Sequence, residues 1–242
     1  MNFAEITKAI TEGLGLARPP IGLAFLVEPP AGIPRYSEAV PSACSFWKMA
    51  GASLFYATAE DHYNCPIGAM TQGFKPPADV MEQAMALIGE MGKIRYFDAV
   101  EVENVPGVEK PHQVIVYGPL ASFGALAPDV AMIICTPFQA MLLSEATGSF
   151  AWKGAGKEAH LFGRPACAVI PSALKESAPA ASLGCMGART FAGIAESEMI
   201  VAIPAVKLGD LTGASAQILR ANSEMRRFYE TKRSQFDARP SE

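Results

Sequence analysis

The stretch Asn64-Cys65-Pro66-Ile67-Gly68-Ala69-Met70-Thr71-Gln72-Gly73 occurs a second time in this chain, in altered form, as Gly184-Cys185-Met186-Gly187-Ala188-Arg189-Thr190-Phe191-Ala192-Gly193. Each copy reads cysteine, Gly-Ala, one residue, threonine and a further glycine. A second cysteine precedes each copy, Cys44 by 21 residues and Cys167 by 18. A repeat at this long period predicts two related halves, because a solenoid needs at least three shorter units.

Composition and patterning predict an α/β protein. Of the 242 residues 50% are hydrophobic and 18% charged, which is typical of a globular chain with a substantial core. Apolar strand patterns alternate with helical ones, as α/β folds require. We therefore expect a single domain over residues 1–242 with a mixed sheet. Its related halves would span about 15–97 and 112–210, and a C-terminal helix would cover 212–234.

Charge and hydropathy exclude several classes of partner. A net charge of −4 argues against nucleic-acid binding, which normally needs a basic surface. No apolar run reaches the roughly 18 residues of a membrane span. The N-terminus has an early acid and no basic region, unlike a secretory signal, so we expect a cytoplasmic protein. A small molecule is the expected substrate, and association of several copies stays open.

The repeated cysteines are the candidate chemistry. Cys65 and Cys185 each stand before a Gly-Ala turn that we expect to open a helix, and a helix N-terminus favours a thiolate. The glycines of these turns, Gly68 and Gly187, would let backbone N–H groups approach a bound cofactor closely.

Three or four such thiolates suit an iron–sulfur cluster, with zinc as an alternative. The predicted ligands are Cys44, Cys65 and Cys185, with Cys167 as a fourth. The chain has no Cys-x-x-Cys pair, the usual signature of zinc ribbons and ferredoxins. Reactive thiols and simple core packing therefore remain open, since cysteine is often buried. We expect Cys135, in an apolar strand, to be a core residue.

Two further side chains are candidates for catalysis. His62, after Glu60 and Asp61, could act as a general base, a metal ligand or an axial ligand to haem, or could lie in a solvated loop. Arg189 could anchor a substrate carboxylate or phosphate. The alternative for Arg189 is a salt bridge between the two halves.

Several segments of the sequence, taken together, resemble those of a known family. They are Cys44, Thr58 followed by Cys65-x-x-Gly-Ala, Ala127-Pro128-Asp129-Val130, Thr136-Pro137-Phe138-Gln139-Ala140-Met141 and Gly184-Cys185-x-Gly-x-Arg189. Over about residues 15–210 the chain resembles the bacterial and archaeal family called domain of unknown function 169. The resemblance implies one duplicated α/β domain and draws attention to four cysteines, but it implies no reaction.

The leading hypothesis is a cytoplasmic enzyme with a cysteine-bound metal or iron–sulfur cluster. It would act on a small, anionic molecule by redox chemistry or elimination, as an oxidoreductase or lyase. The alternative is a non-catalytic protein that binds a tetrapyrrole such as haem, or another small molecule. A third hypothesis gives the cysteines only a packing role.

Overall fold

A single sheet forms the middle of the molecule. The computed structural model describes residues 1–96, 105–147, 161–162 and 164–237. The strands within these ranges are β1 (Ile21–Leu26), β2 (Phe55–Thr58), β3 (Val114–Pro119), β4 (Val130–Cys135), β5 (Leu161–Phe162), β6 (Ala180–Ser182) and β7 (Met199–Pro204). They lie in the order β2-β3-β1-β4-β7-β6-β5, and all neighbours are antiparallel except β5 and β6, which are parallel. The predicted α/β fold with a mixed sheet is confirmed.

Helices cover both faces of this sheet. They are α1 (Phe3–Leu14), α2 (Ser45–Ala50), α3 (Pro66–Thr71), α4 (Ala78–Lys93), α5 (Pro137–Ala146), α6 (Val169–Glu176), α7 (Met186–Ala192) and α8 (Leu208–Asp237). Short 3-10 turns occur at Glu60–His62, Leu120–Ser122, Ala166–Ala168 and Ala205–Lys207. None of the helices in the described ranges is both long and apolar enough to cross a bilayer.

The two faces of the sheet carry separate apolar cores, because successive side chains of a strand point to opposite sides. On one face Leu23, Ile115 and Met132 pack with α2, α3, α6 and α7. On the other face Ala24 and Ile133 pack with α1, α5 and α8. The repeated cysteine stretches belong to the first of these faces.

The strands on the two sides of the β1–β4 pair follow a similar order. Outward from β1 the sheet continues with β3 and then β2, and outward from β4 it continues with β7, β6 and β5. In each direction the last strand in sequence lies next to the first: β3, the third of its group, pairs with β1, and β7, the fourth of its group, pairs with β4. A duplicated chain would give this order, and the duplication itself stays a prediction.

The main differences from the predicted organisation concern boundaries. The last helix covers Leu208–Asp237, so it is longer at both ends than the predicted 212–234. Residues 97–104, between the two predicted halves, lie outside the described residues.

Candidate functional site

Four of the five cysteines line one cavity, here called the four-cysteine cavity. Its volume is about 240 Å³, and Cys44, Cys65, Cys167 and Cys185 all contribute to its wall. These residues come from four separate segments of the chain, up to 141 positions apart. The convergence expected from the repeated motif is therefore present in the fold, whereas the roles given to the cysteines remain predictions.

Each of these cysteines lies where a helix begins. Cys44 and Cys65 directly precede α2 and α3, and Cys185 directly precedes α7. Cys167 lies in the 3-10 turn that leads into α6. The sulfur of Cys185 accepts a hydrogen bond from the backbone N–H of Ala188 at 3.5 Å. Backbone N–H groups at helix starts lack partners within the helix, and at Cys185 one of them donates to the sulfur. At the start of α2 the N–H groups of Ser45 and Phe46 donate to the carbonyl oxygens of Ser42 and Ala43 instead.

The four cysteines differ in depth. Cys44 and Cys167 are buried, at 5% and 4% exposure, while Cys65 and Cys185 are half-buried. Burial raises the pKa of the Cys44 thiol well above its usual range, and the neighbouring Cys167 adds to the effect. Burial likewise raises the pKa of Cys167, with Cys65 as the next contributor. The deep pair is therefore protonated at neutral pH unless a cation binds.

The two Gly-Ala turns pack differently around their cysteines. A Cβ atom added to Gly68 would lie 2.8 Å from the Cβ of Ala43 and 2.9 Å from the sulfur of Cys65. A Cβ added to Gly187 would meet the sulfur of Cys185 at 3.8 Å, an ordinary contact. The absence of a side chain is therefore required at Gly68 and only tolerated at Gly187.

The rest of the cavity wall is mainly apolar. Helix α4 supplies Ala84, Leu87 and Met91, and Phe191 of α7 completes the outer side. Among the described residues that line the cavity there is no Asp, Glu, Lys, Arg or His. The sequence analysis predicted α4 as a helix but missed its place at the site. An amphipathic pattern shows which side is buried without showing what it covers.

His62 lies outside this lining, in the 3-10 turn after β2, and is completely buried. Its Nδ1 is 2.6 Å from the carbonyl oxygen of Thr58, so Nδ1 carries the proton and donates it. Its Nε2, 2.9 Å from the hydroxyl of Tyr117, therefore accepts from that group. Burial lowers the pKa of His62 to about 4, which makes it neutral near pH 7. The solvated-loop alternative is wrong, and both ring nitrogens are already engaged.

Tyr117 is a residue that the sequence analysis missed. It is fully buried in β3, and burial raises its pKa well above the usual range, with Cys44 and Cys167 as further contributors. Its hydroxyl is bonded to His62 and is close enough to Cys44 and Cys167 for their charges to affect its pKa. The one signal in the sequence is a hydroxyl-bearing side chain in the middle of an apolar strand, because such a group needs a partner when buried.

Arg189 is engaged with the backbone. Its two terminal nitrogens donate to the carbonyl oxygens of Leu183 and Ala195, at 2.6 and 2.5 Å. These contacts join the segments before and after α7. They favour neither the predicted substrate anchor nor a salt bridge between the halves, and Arg189 is not among the residues that line the cavity.

The donor groups that the predicted cluster would need are the four thiols of the cavity. Thiolates are the usual protein ligands of iron–sulfur clusters. Among the described residues, however, no three His, Cys, Asp or Glu side chains are arranged to hold one metal ion. Cys135 lies apart in the core of the opposite face, 2% exposed, as expected for a packing residue. Charges on the other cavity cysteines would raise the pKa of Cys44 further, but the described side chains are not grouped so as to hold one metal ion.

Comparison with known proteins agrees with the resemblance seen in the motifs. Residues 9–213 match the profile of a family described as an uncharacterised ArCR, domain of unknown function 169. An uncharacterised protein of Methanocaldococcus jannaschii is 31% identical over 164 residues, which cover 66% of this chain and 68% of that protein. No solved structure matches. With a match over most of its length, the chain belongs to the domain of unknown function 169 family.

Proposed function

We propose that the four-cysteine cavity holds an iron–sulfur cluster and that the protein is an enzyme that uses it on a small molecule. The observation that carries this proposal is the convergence of Cys44, Cys65, Cys167 and Cys185 on one cavity. When bound, such a group supplies one-electron chemistry or a Lewis-acidic metal, so an oxidoreductase or a lyase is expected. The cytoplasmic location expected from the sequence suits this use, since the cysteines are all free thiols.

The charge of the cavity supports a cationic occupant over a nucleophilic thiol. A reactive cysteine normally has a basic neighbour that lowers its pKa. No basic side chain is found among the described residues of the lining, and burial raises the pKa of Cys44 and Cys167. Thiolates of Cys44 and Cys167 are therefore expected only when a bound group brings positive charge. A metal centre meets that condition, because ligation replaces the thiol proton.

The arrangement of the sulfurs favours a cluster over zinc. A zinc ion needs four ligands about 2.0–2.3 Å from one point. No such group exists among the described side chains, so a zinc site would require the sulfurs to be drawn together. A cluster spreads its ligand positions over several metal atoms. It therefore suits cysteines that surround a cavity.

The alternative of a bound tetrapyrrole has less support. The cavity volume of about 240 Å³ is below the roughly 300–1,000 Å³ of pockets that hold drug-sized ligands. His62, the expected axial ligand, uses both ring nitrogens in hydrogen bonds to Thr58 and Tyr117. A haem would have to break one of these buried bonds.

The test is metal loading under anaerobic conditions. Purified protein is treated with ferrous iron and sulfide, desalted, and analysed for both elements and for an absorbance shoulder near roughly 400 nm. We expect iron and sulfide to be retained in the parent protein. We expect much of both to be lost in Cys65→Ser and Cys185→Ser.

The chain offers a matched control. Cys135→Ala also removes a thiol, but from the core of the opposite face, and it should load like the parent protein. Circular dichroism establishes that each variant is folded. Failure of the parent protein to retain iron would overturn the proposal, as would full loading of both cavity variants.

A further inference from the structure

The chemistry of the cavity wall points to the class of molecule that the site accepts. We infer that the four-cysteine cavity admits small, uncharged, largely apolar molecules and excludes anions. This inference rests on the proposed function for its biological meaning, but it can be tested on the metal-free protein. It differs from the anionic substrate expected from Arg189, whose guanidinium donates to two backbone carbonyls instead.

The first argument comes from the mouth of the cavity. Leu87 and Phe191 both line the cavity and are 49% and 37% exposed, so they lie between its interior and solvent. Met91 of α4 also lines the cavity. A hydrated anion that passes Leu87 and Phe191 loses water beside apolar side chains, which is costly. An uncharged molecule does not incur this desolvation cost.

The second argument concerns charge. Two arginines of the described residues near the cavity interact with other groups. Arg164 lies over the ring of Tyr96, 4.5 Å from its centroid, and is not among the residues that line the cavity. The guanidinium of Arg189 donates hydrogen bonds to the carbonyl oxygens of Leu183 and Ala195. The described lining itself contains no Lys, Arg or His.

A pair of thiol reagents tests the inference directly. Iodoacetamide and iodoacetate both form a carbon–sulfur bond and release iodide, but only iodoacetate is anionic. Rates at Cys65 and Cys185 are measured by mass spectrometry in the native, metal-free protein and in the protein unfolded in urea. The pKa of each thiol affects both reagents alike, so the ratio of the two rates isolates the charge of the reagent.

We expect the rate ratio, iodoacetamide over iodoacetate, to be at least about tenfold higher in the native protein than in the unfolded protein. The variant Leu87→Lys places a cation in the wall and should lower the native ratio severalfold. Met85→Lys is the control, since Met85 lies on the same helix, is 58% exposed and does not line the cavity. It should leave the ratio unchanged.

Equal ratios in native and unfolded protein would overturn the inference, and so would an equal effect of the two lysine variants. Either result is independent of the outcome of the metal-loading test. A protein that binds iron but shows no discrimination refutes only the inference. A protein that discriminates but binds no iron refutes only the proposed cluster.

Discussion

The two glycines of the repeated motif make the sharpest prediction. Gly68→Ala and Gly187→Ala are the same substitution near the start of α3 and of α7. Both replace glycine by the better helix former, a gain of up to about 1 kcal/mol. At Gly68 the new methyl group would lie 2.8 Å from the Cβ of Ala43 and 2.9 Å from the sulfur of Cys65. Overpacking of this kind costs about 1–3 kcal/mol.

Because the helix-propensity gain is common to both variants, it cancels in their comparison. Gly68→Ala should therefore be less stable than Gly187→Ala by about 1–3 kcal/mol in the free energy of unfolding. The assay is urea denaturation of the metal-free proteins, followed by circular dichroism. Gly89→Ala, in α4 with open space around the added Cβ, controls for the propensity gain. Equal stability of the two motif variants would refute the packing described for Cys65.

Three further predictions follow from the buried polar groups and the cysteines. His62 has a pKa of about 4 in the folded protein and near 6.5 in the unfolded chain, so the free energy of unfolding should fall by up to roughly 3 kcal/mol as the pH drops from about 6.5 toward 4. Urea denaturation at pH 7 and pH 5 should show this loss in the parent protein and less of it in His62→Gln. Tyr117→Phe leaves the Nε2 of His62 without its 2.9 Å partner and should destabilise the protein by about 1–3 kcal/mol in the same assay, whereas an unchanged free energy of unfolding would contradict the assigned hydrogen bond. In native metal-free protein iodoacetamide should label Cys65 and Cys185 well before the three buried cysteines, as peptide mass spectrometry can establish, and uniform labelling would contradict the difference in depth.

The sequence contained enough information for the fold class and for the convergence of the cysteines. Apolar periodicity located β4 at Val130–Cys135 because a buried strand must be apolar on both faces. The repeated motif indicated one cavity because Cys65 and Cys185 each open a helix on the same face of the sheet. A local sequence pattern is enough to predict a feature when the residue type itself determines where in a helix or strand the residue lies.

Other features depend on distant packing and could not be predicted. The pairing of His62 with Tyr117 joins residues 55 positions apart, across β2 and β3. The place of Arg189 depends on where the fold puts the carbonyl oxygens of Leu183 and Ala195, and a motif does not encode that geometry. The apolar wall supplied by α4 depends on how that helix crosses the cavity.

The division of the molecule by its sheet has a consequence for evolution and engineering. Substitutions in the layer of α1, α5 and α8 should change stability without reaching the four-cysteine cavity, since the sheet lies between that layer and the cavity. Changes in α2, α3, α6 or α7 should affect stability and the surroundings of the cavity together. Relatives with the same chemistry should therefore diverge faster in the former layer than in the latter.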